Sequence, residues 1–357
     1  MQLRTITTLP AFDELASDWN DLLACCSASH VPFLRHEYLR AWWQTLGGGE
    51  WSPAGAGSMQ PQLCVVAGFD QDNRLTGAAP LFFAQNHQGE PALLLLGSIE
   101  ISDYLDLVVG PADLTIFVAA LFAWLDSDQA PAWQALDWYN IPETSPTLPA
   151  LKEAAERSGW SYAQERLQPC PHIALPGDWE IYLAGIDKKQ RHEIRRKMRR
   201  AEENPVPVRW YITGGEERHL EANSLEAEVE DFLSLMARDA EKERFLTPLM
   251  RAQMHAAAQA AFQAGWLQLA FLEIGGVKAA SYLNFDYAGH IWVYNSGLNF
   301  ELRELSPGWV LLGHLLKWAN ENQRLTFDFM RGDEDYKYRF GGINRYIVRA
   351  VVRRSAT

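Results

Sequence analysis

The sequence contains few cysteines and no long apolar run. Its 357 residues include four cysteines, of which Cys25 and Cys26 are adjacent, and no Cys-x-x-Cys pair. A disulfide framework and a cysteine zinc site are therefore not expected, and the histidines show no metal-ligand spacing. The longest apolar stretch, residues 114–125, is shorter than the ~20 residues that cross a bilayer, and the N-terminus lacks the pattern of a secretory signal. We expect a cytoplasmic protein without a transmembrane segment or a bound metal.

Positive charge is scarce except in one segment. The formal net charge is −13, which disfavours binding of nucleic acid by the surface as a whole. Residues 188–200, KKQRHEIRRKMRR, hold eight basic residues and one acidic residue, a net charge of +7, so the rest of the chain carries −20. This basic segment has two interpretations. It is a solvated amphipathic helix, or a patch that includes Arg195 and binds an acidic acceptor or the phosphates of a coenzyme.

Length and element order predict two α/β domains. A chain of 357 residues corresponds to about two domains of ~150 residues. Each half shows two helices, three strands, a helix and a strand, which is typical of a tandem repeat of one unit with mixed sheets. We place the domains at 1–175 and 176–357, the first on the acceptor side and the second binding the donor. The alternative is two unrelated mixed domains.

One helix start in the second half has the features of an anion site. If the strand that ends at Ser296 and the strand that begins near Leu325 are parallel neighbours, the helix between them starts beside the gap between their ends. Ser306 suits the N-cap, Pro307 the first helical position, and Gly308 allows a pyrophosphate to approach free backbone N–H groups. Backbone N–H groups near the end of the first strand can polarise a carbonyl. The candidate cofactor-binding residues are Tyr294, Asn295, Ser296, Ser306, Gly308 and Trp309.

Several motifs resemble a known family. The residues concerned are Tyr294 to Leu298, then Ser306-Pro307-Gly308, and FDFMRGDEDYKYRF from Phe327 to Phe340. Together with the basic segment before them, they resemble the C-terminal half of GNAT-fold proteins of the Fem-related type, a group that includes proteins of cellulose biosynthesis. The first half is similar to the same group at residues 32–43 and 102–106. The usual Arg/Gln-x-x-Gly-x-Gly/Ala loop is replaced by Ser306-Pro307-Gly308.

The resemblance implies two tandem GNAT-like domains that transfer an acyl group to an amine. The donor is then acetyl-CoA or another acyl-CoA, and no metal takes part. The resemblance does not identify the acceptor. We expect a small molecule or a glycan or lipid precursor, which the second interpretation of the basic segment makes anionic, and we expect no nucleic acid. Two alternatives remain: a non-catalytic binding protein with a degenerate acyl-CoA site, and a Fem-type aminoacyl transferase, which the lack of a long helical arm disfavours.

Acyl transfer from a thioester requires a base for the amine and an acid for the thiolate. The candidate base is Asp333, with Glu334 and Asp328 as alternatives, and Tyr336 is the candidate acid. The candidate substrate-binding residues are Asp103, Tyr104, Arg331, Lys337 and Arg195. The same charged cluster is also typical of an exposed turn.

Overall fold

The computed structural model describes residues 1–48, 59–97, 100–214 and 222–354, with the backbone alone at 222–224. It divides into two compact units. The first contains residues 1–169 together with 345–357, and the second contains residues 170–344. The predicted domains, 1–175 and 176–357, remain a prediction. Residues 345–353, which form most of the last described strand, make their contacts mainly within the first unit.

The described elements alternate between strands and helices along the chain. The strands are β1 (Gln2–Ile6), β2 (Gln62–Leu63), β3 (Val65–Phe69), β4 (Leu75–Ala79), β5 (Leu81–Gln85), β6 (Pro91–Leu95), β7 (Val108–Val109), β8 (Ala135–Pro142), β9 (Ser161–Ala174), β10 (Val208–Ile212), β11 (Leu267–Ile274), β12 (Val277–Tyr287), β13 (His290–Leu298), β14 (Thr326–Asp328) and β15 (Ile343–Arg353). The helices are α1 (Leu9–Asp13), α2 (Ala16–Ala24), α3 (His36–Thr45), α4 (Leu114–Leu125), α5 (Thr147–Arg157), α6 (Trp179–Gly185), α7 (Lys188–Glu202), α8 (Ala222–Met236), α9 (Ala240–Phe245), α10 (Pro248–Gln263), α11 (Pro307–Glu321) and α12 (Asp335–Arg339). Short 3₁₀ turns cover Pro32–Leu34 and Phe300–Leu305.

The first unit contains two sheets. One has the strand order β1-β3-β4-β7, and the other has the order β15-β8-β6-β5-β2. The sequence pattern predicts one strand over residues 75–83, but the chain changes sheet at Pro80. β4 pairs with β3 and β7, whereas β5 pairs with β6 and β2. The break follows from the missing N–H and the fixed φ of proline, which interrupt a ladder.

The second unit has one sheet in the order β10-β11-β12-β13-β14-β9. Gly275 and Gly276, with φ values of 61° and 81°, form the predicted two-residue turn between β11 and β12, a geometry that favours glycine. Helix α11 packs on one face of this sheet, and its leucines are buried there. The basic segment is helix α7, whose predicted apolar residues Ile194 and Met198 lie in the same core.

The same crossover occurs in both units. β6 and β8 pair in parallel and are joined through α4, and β13 and β14 pair in parallel and are joined through α11. The predicted parallel pair with a helix that starts at Pro307 is therefore confirmed. Because parallel neighbours need a crossover connection, each unit acquires a helix start next to two strand ends.

Candidate functional site

Strand β13 loses one of its two neighbours after the first third of its length. β14 pairs with it only from His290, opposite Thr326, to Trp292, opposite Asp328, whereas β13 runs on to Leu298. On its other side β14 pairs with β9, and the Phe329 amide continues that ladder by donating to the Pro171 carbonyl. Among the described strands, none pairs with the rest of β13 on this side, so this part of the strand has an open edge.

A β-bulge sets which groups face this edge. Leu283 lies opposite Asn295 and Asn284 opposite Val293, so Tyr294 is the extra residue. Beyond the bulge, the Asn299 amide donates to the Ala279 carbonyl on β12. Since bonded and non-bonded pairs alternate along an antiparallel ladder, the backbone groups of residues 296 and 298 point away from β12 and toward the open edge.

The start of α11 provides unpaired amides beside this edge. Ser306 is the N-cap residue, as predicted, but it is left-handed with φ 52° and its hydroxyl makes no capping hydrogen bond. The Val310 amide donates to the Ser306 carbonyl at 3.0 Å, and Pro307 has no N–H. The first helical turn leaves its leading N–H groups without intrahelical partners, so Gly308 and Trp309 supply the donors here.

A pocket of about 310 Å³ lies at this point of the second unit. Five of the predicted residues line it: Ser296, Ser306, Gly308, Trp309 and Tyr336. The residues lining it that the predicted set omits are Lys197, Tyr282, Leu298, Asn299, Phe300, Arg303, Pro307, Leu312 and Phe340. The structure therefore brings the helix start, the end of β13 and the basic helix α7 to one cavity.

Two cations stand at the helix start. The Lys197 ammonium lies over the Trp309 ring, 4.1 Å from its centroid, and 3.5 Å from a Glu193 carboxylate oxygen. Burial lowers the pKa of Lys197, and Glu193 opposes this shift. Arg303 lines the pocket with an exposed side chain. Together with the positive end of the helix dipole, these groups favour an anion.

The loop that leads into α11 keeps most of the spacing of the GNAT pyrophosphate loop. Arg303, Ser306 and Gly308 stand at the spacing of Arg/Gln-x-x-Gly-x-Gly/Ala. Ser306 replaces the first glycine, and it keeps the positive φ that glycine adopts most readily. A Cβ built on Gly308 would lie 2.6 Å from a methyl carbon of Leu298, so a larger residue here requires the Leu298 side chain to move.

Two tyrosines line the pocket. Tyr282 is 5% exposed, and burial, with a contribution from Glu334, raises its pKa above the usual range. Burial also raises the pKa of Tyr336 well above its usual range, and Tyr282 and Glu334 add to this shift. Both phenols therefore stay protonated at neutral and moderately alkaline pH and can act as hydrogen-bond donors.

Lys337 and Asp328 lie inside the protein instead of in the pocket. Lys337 is 2% exposed, and its ammonium donates to the carbonyls of Arg331 at 2.7 Å and Gly332 at 3.2 Å and pairs with Glu334 at 2.9 Å. These contacts use all three of its donors, so none is left for a substrate in this conformation. Asp328 is fully buried and accepts the Met330 amide at 2.8 Å.

The other predicted residues around the strand end have different positions. Asp333 is exposed, as is Glu334, and neither lines the pocket. Arg331 is half-buried in the loop that Lys337 organises. The Tyr294 ring packs on Phe285, with centroids 4.8 Å apart. The roles assigned to these side chains remain predictions.

Asp103, Tyr104 and Arg195 are not among the residues that line this pocket. Asp103 and Tyr104 belong to the first unit, and each is 2% exposed. Tyr104 has φ 58°, and the Arg345 guanidinium lies 5.8 Å from its ring centroid. Arg195 is exposed on α7 and pairs with Glu180.

The residues that sequence reasoning missed have a weak local signal. Lys197 lies within the predicted basic segment, but nothing in that run of cations distinguishes the one that faces inward. Tyr282 lies in a strand where it reads as a core residue. Their place in the site follows from how α7 and β12 pack on α11, which is tertiary information.

Within the described residues, no group of three or more His, Cys, Asp or Glu side chains is placed to hold a metal ion. None of the helices in the described part of the chain combines the length and apolar character needed to cross a bilayer. All four cysteines are free thiols.

Comparison with known proteins identifies the fold. Residues 188–338 match the family model of the acetyltransferase (GNAT) domain, whereas no curated protein sequence matches the chain. Among solved structures, FemX is 12% identical, with 98% of this chain and 97% of that chain covered and a TM-score of 0.52. A tandem GNAT protein from the clavulanic acid biosynthesis pathway is 14% identical over 100% of both chains, with a TM-score of 0.50. The C-terminal domain of a putative lysylphosphatidylglycerol synthetase from Agrobacterium fabrum is 9% identical, covering 95% of this chain and 92% of that chain, with a TM-score of 0.54.

These findings confirm the predicted fold class. The chain has a mixed α/β fold of two GNAT-like domains in tandem, and Fem-type proteins are among its structural neighbours. At such low identities the likeness to solved structures concerns the fold alone. The GNAT family uses acyl-CoA as co-substrate, and this fits the anion-binding features at the start of α11.

Proposed function

We propose that this protein is an acyltransferase that moves an acyl group from acyl-CoA, with acetyl-CoA as the simplest donor, to an amine. The observation that carries the proposal is the cavity at the open edge of β13. There, the unpaired amides of Gly308 and Trp309 lie beside the cations Lys197 and Arg303. Backbone donors at a helix start combined with two positive side chains match the chemistry of a diphosphate.

The open strand edge suits the rest of the donor. The backbone groups of Leu298 face this edge, and a pantetheine arm carries amides that can pair with them as a neighbouring strand would. The apolar side chains of Leu298, Leu312 and Phe340 line the same cavity. The diphosphate thus occupies the helix start, and the acyl end points toward Ser296 and the two tyrosines.

The reaction forms a C–N bond and breaks the C–S bond of the thioester. The amine loses a proton and the departing sulfur gains one. The Tyr336 hydroxyl is held protonated by burial and lines the cavity, so we assign it as the acid that protonates the thiolate. Asp333 remains the proposed base, and Glu334 is the less suitable alternative because it pairs with Lys337.

The acceptor is proposed to be anionic. The exposed cations Lys188, Lys189, Arg199 and Arg200 lie on α7, the helix that also supplies Lys197 to the pocket. Arg195 is less available because it pairs with Glu180. One structural neighbour is a domain of a putative lysylphosphatidylglycerol synthetase, whose name points to a lipid product. A glycan or lipid precursor with negative charge fits this face of α7.

Binding of acetyl-CoA tests the proposal without knowledge of the acceptor. Isothermal titration with acetyl-CoA and CoA should give saturable binding, and thermal unfolding should shift upward with ligand concentration. A ligand at 100 times its Kd adds about 2.7 kcal/mol of stability. No heat and no shift at millimolar acetyl-CoA would refute the proposal. Binding without transfer of labelled acetyl to a broad amine panel would favour the non-catalytic alternative.

A further inference from the structure

The backbone of Ser296 is already occupied at the open edge. Its amide donates to the Asn295 side-chain oxygen at 2.8 Å, and its carbonyl accepts from the Lys242 ammonium at 2.6 Å. Backbone N–H groups near this strand end are the predicted donors to the acyl carbonyl. Since the Ser296 N–H is satisfied by a side chain, that donor is not available in this structure.

The Ser296 hydroxyl, unlike the Ser296 amide, keeps a proton that it can donate. It lines the cavity and accepts a second N–H from Lys242 at 3.3 Å. Lysine can only donate, so the hydroxyl proton of Ser296 is left to point elsewhere. Among the residues that the structure describes, none accepts a hydrogen bond from it. A hydroxyl on a residue that lines the cavity, with its lone pair held by an ammonium group, can donate its proton to a developing oxyanion.

Lys242 is held in place for this contact. Lys242 lies on the short helix α9. Its backbone amide donates to the side-chain oxygen of the N-cap residue Asp239 at 3.1 Å. Burial lowers the pKa of Lys242, the carboxylates of Asp239 and Glu334 oppose this shift, and Lys337 adds to it. Within the described chain, the Lys242 side chain makes hydrogen bonds only to Ser296.

We propose that the Ser296 hydroxyl donates the hydrogen bond that polarises the acyl carbonyl, and that Lys242 is the positioning residue that orients it. This inference rests on the proposed function, because it places the acyl group of acyl-CoA at Ser296. The hydrogen bond strengthens as negative charge develops on the carbonyl oxygen, whereas the Asn295 contact only fixes the strand. The two side chains thus replace the missing backbone donor.

The test compares acetyl-CoA with CoA, which differ by the acyl group alone. A hydrogen bond contributes about 0.5–1.5 kcal/mol, so Ser296→Ala should lower the ratio of acetyl-CoA to CoA affinity about 2- to 10-fold and leave CoA binding unchanged. Infrared spectra with ¹³C-carbonyl acetyl-CoA give a second readout. The carbonyl band should lie at lower frequency in the wild-type complex than in the Ser296→Ala complex. Lys242→Met should lower the affinity ratio and shift the carbonyl band less than Ser296→Ala does. Lys242→Arg, which keeps the charge, should leave the band near its wild-type frequency.

Two variants outside the cavity control for general effects. Ser281→Ala removes a buried hydroxyl from β12, and Lys278→Met removes a partly buried ammonium that pairs with Glu228 and Asp231. Both should keep the wild-type affinity ratio and carbonyl band. If the wild type binds acetyl-CoA but Ser296→Ala keeps its ratio and band, this inference is overturned and the proposed function stands. If the wild type binds neither ligand, the proposed function itself fails.

Discussion

Replacement of Lys197 by methionine tests the diphosphate site with little change of shape. Methionine keeps most of the aliphatic chain over Trp309 and removes the charge. A charge-assisted hydrogen bond contributes about 1.5–3 kcal/mol, which corresponds to a rise of about 10- to 150-fold in the Kd for CoA. The Lys197 side chain is 19% exposed, so salt screens it only in part and the upper half of this range is expected at low ionic strength.

The Lys197→Met variant should lose less free energy of unfolding than free energy of CoA binding. Removal of the cation from above Trp309 costs on the order of 0.5–1 kcal/mol of stability. The assay is titration calorimetry with CoA at two salt concentrations, together with thermal unfolding of the free protein. A loss of affinity with a nearly unchanged melting temperature assigns the effect to the ligand.

Lys188→Met is the matched control. It removes the same charge from the same helix, but Lys188 is exposed and lies nine residues earlier, about 13 Å along the axis. That separation exceeds the Debye length of ~8 Å at physiological salt, so CoA affinity should hardly change. Equal losses in both variants would show that the positive field of the whole helix attracts the ligand. Unchanged affinity in Lys197→Met would refute the pocket assignment.

Three further variants give separable outcomes. Gly308→Val should reduce CoA affinity more than 10-fold and cost about 1–3 kcal/mol of stability, because its Cβ meets Leu298; wild-type titration curves would disprove the helix-start site. Burial lowers the pKa of His314 to about 4, so the folded state holds it neutral and stability should fall by about 2–3 kcal/mol between pH 6.5 and 4.5. His314→Phe should lose this part of the pH dependence of the unfolding free energy, measured by urea unfolding. If the free energy of the variant changes with pH as in the wild type, His314 is not the group responsible. Lys337→Met leaves loop carbonyls without a donor at a cost of about 1–3 kcal/mol each, so a wild-type melting temperature would contradict its structural role.

The elements with a strong local pattern could be predicted from the sequence. α11, with its Ser306-Pro307 start, and the β11–β12 hairpin at Gly275-Gly276 depend on residues next to one another. β9 and β15 were missed for the converse reason. β9 is mostly polar and exposed along its first half, and what makes it a strand is pairing with residues far away in the sequence. Alternation of apolar residues cannot reveal such a strand.

The candidate site shows the same limit. The helix start and the end of β13 carry turn and cap chemistry that is visible in the sequence, and both line the pocket. Asp328, as an alternative base, and Lys337, as a substrate-binding residue, are predicted from their place beside the strand end and from the resemblance to the family motif. Their burial depends on the loop after β14, whose carbonyls Lys337 bonds. Lys242 carries no local signal of a role in the site, since its contact with Ser296 joins residues 54 positions apart.

The position of β15 affects how the chain is made. This strand pairs with β8 and belongs to the first unit, although the whole second unit lies between β8 and it in the sequence. During synthesis, the ribosome must therefore produce the second unit before the first unit receives β15. Until then, the β8 edge is unpaired and open to contacts with other chains. A premature stop codon near residue 344 would leave the second unit's sequence whole and harm the first.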